Sequence, residues 1–92
     1  MSVVIVGGNE CMTRRYINIC KEYNCKPKVY SKMEAGLKNL GSPDLLVLFT
    51  DTVSHKIVRC ALCETKGKGT RVARSHSSSA TALKSILEEH LS

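Results

Sequence analysis

Tryptophan is absent from this chain, phenylalanine occurs once and tyrosine three times. Without aromatic bulk, aliphatic side chains must supply the core. A chain of 92 residues buries only about 60–65% of the surface its unfolded state exposes, so that core has to be economical. No apolar run approaches the roughly 18 residues of a membrane span, which excludes a transmembrane helix. The amino terminus lacks the charged start, long apolar stretch and small-residue cleavage site of a secretory signal. No linker, repeat or low-complexity tract interrupts the chain, so a single domain over residues 1–92 is expected.

Acidic residues are also in short supply. Fourteen Lys and Arg against eight Asp and Glu leave a net charge of +6. The excess divides evenly between the two halves of the chain, so it forms no basic arm. An even charge with few aromatic stacking residues argues against nucleic acid as a partner. Five cysteines are many for this length. Their odd number, with no export signal, argues against a secreted disulfide scaffold and for a cytoplasmic protein with reduced thiols.

Apolar residues are arranged in alternating patterns of strand and helix. Ser2-Val-Val-Ile-Val6 is a β-branched run closed by Gly7-Gly8, the pattern of a strand buried on both faces. From Glu10 to Tyr23 the apolar residues Met12, Tyr16, Ile17, Ile19, Cys20 and Tyr23 share one helical face, with Asn9 as a cap and Asn24 as a stop. Lys26–Tyr30 is a short strand whose Pro27 points to a sheet edge. A weak helix is expected over Met33–Leu40, ended by Gly41-Ser42-Pro43. Leu45–Phe49 is the most hydrophobic segment and reads as the central strand. A helix over Val53–Thr65, capped by Thr52 or Ser54, turns Val53, Ile57, Val58, Ala61 and Leu62 inward. Thr70–Arg74 is the fourth strand. Ser77–Leu91 is the last helix, with Ala80, Leu83, Ile86, Leu87 and Leu91 on its inner side.

This order is (βα)4, which implies an α/β fold: an open, parallel four-stranded sheet, a shortened flavodoxin- or Rossmann-like arrangement with strand order 2-1-3-4. The lysines around Pro27 blunt the strand-2 edge. The strand-4 edge lacks proline and offers a surface for dimer pairing, although Arg71 and Arg74 oppose it. Monomer and homodimer both stay open.

In such sheets ligands bind beyond the carboxyl ends of the strands, where the strand order reverses. The segments expected there are Gly7-Gly8-Asn9-Glu10-Cys11, Tyr30-Ser31-Lys32, Thr50-Asp51-Thr52-Val53-Ser54-His55 and Arg74-Ser75-His76-Ser77-Ser78-Ser79. Polar chemistry concentrates at this end. Four serines around the start of the last helix exceed what one cap requires, and free N–H groups with hydroxyl donors suit phosphate or carboxylate. Arg74 and Lys32 add positive charge. Gly7-Gly8 lets backbone approach a ligand, but the third glycine of G-x-G-x-x-G and the acidic residue after strand 2 are missing, so no dinucleotide fingerprint is present. The ligand-binding candidates are Gly7, Gly8, Asn9, Thr50, Thr52, Ser54, His55, Arg74, His76, Ser77, Ser78 and Ser79.

Cys11 falls in the first turn of a helix beside Arg14 and Arg15, a setting that favours thiolate. Cys60-Ala61-Leu62-Cys63 is a C-x-x-C placed inside a helix, not at its start. A disulfide there would be strained, and the pair supplies only two of four zinc ligands. Cys11, Cys60 and Cys63 are the redox candidates. A metal would need His55, His76, Cys11 or a second subunit, and no metal or cofactor is assigned. His55 and His76 are expected near one crevice, where imidazole serves as acid, base or ligand. His90 reads as structural, favoured by its helix C-terminus. No catalytic residue is assigned.

Val4-Ile5-Val6-Gly7-Gly8-Asn9-Glu10 with Arg14-Arg15-Tyr16, then Leu48-Phe49-Thr50-Asp51-Thr52-Val53-Ser54-His55, then Arg74-Ser75-His76-Ser77-Ser78-Ser79, together resemble the bacterial family known as domain of unknown function 2325. The resemblance covers essentially the whole chain. It implies a bacterial, cytosolic, Rossmann-like domain and brings no activity and no catalytic residues.

The function expected from these readings is a small binding or sensory module. It holds an anionic or phosphorylated ligand at the carboxyl end of the sheet, with redox modulation through its cysteines. The alternative is a thiol- or metal-dependent enzyme or redox protein using Cys11 or Cys60/Cys63 with His55 and His76. Nucleic-acid binding ranks third.

Overall fold

The computed structural model describes residues 2–8, 10–30, 43–67 and 69–91. The expected helix over Met33–Leu40 lies outside them, as do Asn9, Ser31 and Lys32.

The β-branched run forms β1 (Ser2–Val6), followed by a 3-10 turn (Glu10–Met12) and α1 (Thr13–Glu22). β2 (Lys26–Tyr30) and β3 (Leu45–Phe49) follow, then α2 (His55–Thr65), β4 (Arg71–Ser75) and α3 (Ala80–Leu91). The four strands pair in parallel in the order β2-β1-β3-β4, an open α/β sheet with β1 and β3 at its centre. Val3–Val6 and Leu45–Phe49 are buried along their whole length. Strands covered on both faces have to read as continuous apolar runs, and these do. Pro27 sits on edge strand β2, where a missing N–H is tolerated.

The two-residue period of a strand divides the core in two. Val3, Ile5, Leu45, Val47, Phe49 and Ala73 meet Tyr16, Ile19 and Cys20 of α1 and Leu83 and Leu87 of α3. Val4, Val6, Leu46 and Leu48 meet Ala61 of α2, with Val53, Ile57, Val58 and Leu62 packed against them. No helix of the described residues is long and apolar enough to cross a membrane.

Asn24 ends α1 as expected. It takes a left-handed φ of 58°. The Asn24 N–H donates to Lys21 O (3.0 Å) and the Cys25 N–H to Cys20 O (2.9 Å), which is the Schellman closure of a helix. Two helix starts fall later than the sequence pattern indicates. α2 begins at His55, not Val53, because Ser54 is the cap and accepts from the Ile57 N–H, while Thr52 Oγ1 donates back to Phe49 O (3.1 Å). α3 begins at Ala80, not Ser77. Ser79 is its cap, accepting from the Ala82 N–H at 3.2 Å. The preceding serines are committed to one another: Ser75 Oγ donates to Ser77 O and accepts from the Ser77 N–H, and Ser77 Oγ donates to Ser79 Oγ. Such local bonds compete with helix formation.

Candidate functional site

The register brings the strand ends to one level. Val6 lies beside both Tyr30 and Leu48, and Phe49 beside Ser75. The chain therefore leaves β1, β3 and β4 within a residue of the same height, and the three following loops meet above the sheet.

Hydrogen bonds join these loops across long stretches of sequence. Gly8 N–H donates to Thr52 Oγ1 at 2.7 Å, linking the β1 and β3 loops. Thr50 Oγ1 donates to Ser75 O (3.2 Å) and lies 3.0 Å from His76 Nδ1, linking the β3 and β4 loops. Ser78 Oγ donates to Asp51 Oδ2 at 3.3 Å. Below them the Tyr16 hydroxyl donates to Ser78 O, so α1 holds the same loop from underneath. The Tyr16 ring packs on Phe49 with centroids 5.3 Å apart.

The two glycines are explained by this crowding. Gly7 and Gly8 have φ of 94° and 90°, a region that favours glycine. A Cβ on Gly7 would come within 2.7 Å of Val53 Cγ1 and 2.8 Å of Thr52 Oγ1. On Gly8 it would meet Tyr16 Cε2 at 2.8 Å. The room beside both glycines is thus filled by the chain's own side chains, and the Gly8 N–H already has a partner in Thr52.

The remaining candidates lie around this junction. Ser54, His55, Arg74, His76, Ser77 and Ser79 are exposed, and Ser78 is half-buried. His55, the first residue of α2, makes no hydrogen bond with His76. The three helices start at this end of the sheet because each follows a strand, and none carries an acidic residue in its first turn. Ser54 and Ser79 cap α2 and α3, whereas α1 begins at Met12 with no side-chain cap and with exposed Arg14 and Arg15 in its first turn.

The cysteines fall into two groups. Cys11, Cys60 and Cys63 are exposed, Cys20 and Cys25 are buried, and no disulfide forms among the described residues. Burial, reinforced by charge repulsion from Cys25, pushes the Cys20 thiol up to about 11. Burial also raises Cys25. No group of three or more His, Cys, Asp or Glu side chains able to hold a metal ion occurs among the described residues.

Sequence reasoning read Tyr16 as core only and missed its tie to Ser78. The available signal was a tyrosine on an apolar helix face, since a buried phenol needs a polar partner. It also missed a groove of about 630 Å³ away from the carboxyl end, between the second half of α2 and β4. No curated protein and no solved structure matches the chain. The model of a family described as an uncharacterized protein conserved in bacteria, DUF2325, matches residues 2–90, and the chain belongs to that family.

Proposed function

We propose that this protein is a binding module for a small anionic or phosphorylated ligand, taken up where the loops after β1, β3 and β4 meet. The observation that carries this reading is electrostatic. Three helix N-termini open toward one end of the sheet, and no first turn holds the Asp or Glu that ordinarily offsets the dipole. α1 differs from the other two: the 3-10 turn Glu10–Met12 runs directly into it, and exposed Arg14 and Arg15 stand in its first turn, at a dipole end that disfavours cations. An arriving anion would offset the two arginines. The His76 ring adds a hydrogen-bonding group nearby, whereas the Ser77 and Ser78 hydroxyls are already donated to Ser79 Oγ and Asp51 Oδ2. Asp51 is held by Ser78 at the same junction and would repel an anion, so the ligand approaches from the α1 side. There, modification of exposed Cys11 would obstruct it, giving the thiol a modulating role.

Thermal shift and calorimetry with inorganic phosphate, pyrophosphate and adenosine monophosphate test this. A ligand at about 100 times its Kd adds roughly 2.7 kcal/mol of stability. For a domain of this size that raises Tm by about 10 °C or more. Arg14→Glu with Arg15→Glu should raise the Tm of the ligand-free chain slightly, by improving the dipole, while abolishing the anion response. If none of the three anions moves Tm, or if the double variant responds like the parent, the reading is wrong.

A further inference from the structure

The sheet has two edges, and they are built differently. β2 presents Pro27 between exposed Lys26 and Lys28, a combination that discourages pairing. β4 has no proline, and its exposed charges are Arg71 and Arg74. In a parallel ladder alternate residues turn their backbone groups to opposite sides. The Arg71 N–H donates to Asp44 O (3.1 Å) and Ser75 O accepts from the Thr50 N–H (2.8 Å). Arg71, Ala73 and Ser75 therefore face β3. Val72 and Arg74, out of phase with them, turn their N–H and C=O groups outward, where no strand pairs among the described residues.

The surface beside this edge is apolar at its floor and basic at its rim. Val72 lies opposite Leu46 on the α2 side of the sheet and is 37% exposed, the one large hydrophobic residue exposed among those described. The groove next to it is lined by Leu62, Cys63, Thr70 and Val72 together with Arg59 and Lys66, and no carboxylate lines it among the described residues. Arg59, Lys66, Arg71 and Arg74 are all exposed.

We propose that the β4 edge accepts an extended, acidic segment of another polypeptide as a fifth strand. Its backbone pairs with the outward groups of Val72 and Arg74. An apolar side chain covers Val72 and Leu62, and its carboxylates meet Arg59, Lys66 and the β4 arginines. Strand addition of this kind draws affinity from main-chain bonds and specificity from alternate side chains. Charge selects against a second copy of this chain. Two β4 edges would bring four arginines together on molecules that each carry +6. Nucleic acid fits less well, because a phosphodiester offers acceptors and leaves the outward carbonyls without donors.

The probe is a fluorescein-labelled peptide, acetyl-Glu-Glu-Val-Val-Glu-Glu-amide, whose alternation places acid and valine on both faces. Anisotropy should show saturable binding that weakens with salt. The largest amide shifts by NMR should fall on Val72 and Arg74, whose amides gain protection from exchange. Arg59→Glu with Lys66→Glu should weaken binding by about ten-fold or more. Val72→Pro, which removes an outward N–H that the sheet does not use, should weaken it similarly while leaving Tm close to the parent's. Methylating alternate peptide nitrogens should also abolish binding. The proposal fails if no binding occurs at about 1 mM peptide, if a lysine-for-glutamate peptide binds equally, or if the shifts map to the carboxyl-end loops. A concentration-dependent dimer that Val72→Pro disrupts would overturn it in favour of a second copy.

Discussion

Among the described residues, the helices on the two faces of the sheet differ in how many side chains they bury. On the α1/α3 side, Tyr16, Phe49, Leu45, Leu83 and Leu87 are fully buried, and both helices contribute to the interior. On the α2 side, four of the five residues in the buried apolar cluster come from the strands. α2 adds Ala61 and buries Thr65 one turn on, while its Ile57, Val58 and Leu62 stay half-buried. Among the described residues, fully buried helix side chains are therefore concentrated on one side. The other side keeps the apolar groove and the exposed Cys60 and Cys63 within reach of solvent.

Paired leucine truncations test this contrast most strongly. Leu87→Ala removes a fully buried side chain from the closed face and should cost about 3–4 kcal/mol in urea unfolding, from lost transfer energy plus the cavity left behind. Leu62→Ala removes the same atoms from a half-buried position where no closed cavity remains, and should cost about 1–2 kcal/mol. Equal costs would mean that the α2 side is as tightly closed as the other.

The glycines give a second pair. Gly8→Ala combines a left-handed φ of 90° with a Cβ placed 2.8 Å from Tyr16 Cε2, a ring fixed by Phe49 and by Ser78. It should cost about 2–4 kcal/mol. Gly67→Ala carries a comparable φ of 79° but meets nothing within 4 Å. About 1 kcal/mol of backbone strain is all it should show. The difference between the two measures how firmly the closed face presses on the loop after β1.

The buried thiol adds a pH dependence confined to the α1/α3 side. Cys20 is held neutral by burial, its value raised from 9.0 to about 11. The unfolded chain thus loses this proton first as pH rises. The associated stability is fully present below about pH 9 and is lost as pH climbs through about 11. At about 1.4 kcal/mol per pH unit the loss reaches at most about 2–3 kcal/mol. Denaturant midpoints between pH 8 and 11 should show this slope, and Cys20→Ala should flatten it. Iodoacetamide should modify Cys11, Cys60 and Cys63 in the native protein, and Cys20 and Cys25 only after unfolding.

Much of this architecture is legible in the residues. The Val3–Val6 and Leu45–Phe49 runs identify the two central strands, because only strands covered on both faces read that way. Pro27 identifies an edge, and Asn24 a helix end. The meeting of the β1, β3 and β4 loops follows from the parallel order alone. What the pattern did not reveal depends on partners distant in the chain. Thr52 looks like a cap until Gly8 and Phe49 O claim its hydroxyl. Ser77 looks like the start of a helix until Ser75 and Ser79 engage it. The tie between Tyr16 and Ser78 spans 62 residues, and local periodicity carries no signal for it. The groove beside β4 arises from what α2 fails to cover, which a helical wheel of α2 cannot show.

The helix caps supply the smallest effect and the finest test of the contrast between faces. Ser79 Oγ accepts from both the Ala82 N–H and Ser77 Oγ, at the start of a helix whose Leu83 and Leu87 are locked into the closed core. Ser79→Ala leaves the Ala82 N–H without this acceptor and loosens the serine loop before it, so about 1 kcal/mol is expected. Ser54 makes a longer bond, 3.4 Å to the Ile57 N–H, at the exposed start of α2, where water replaces the lost hydroxyl. Ser54→Ala should cost about 0.5 kcal/mol. Because α2 contributes little buried surface, that loss should appear mainly as faster amide exchange in its first turn. In the Ser79 variant α3 cannot fray without disturbing the core, so its loss should appear in global unfolding.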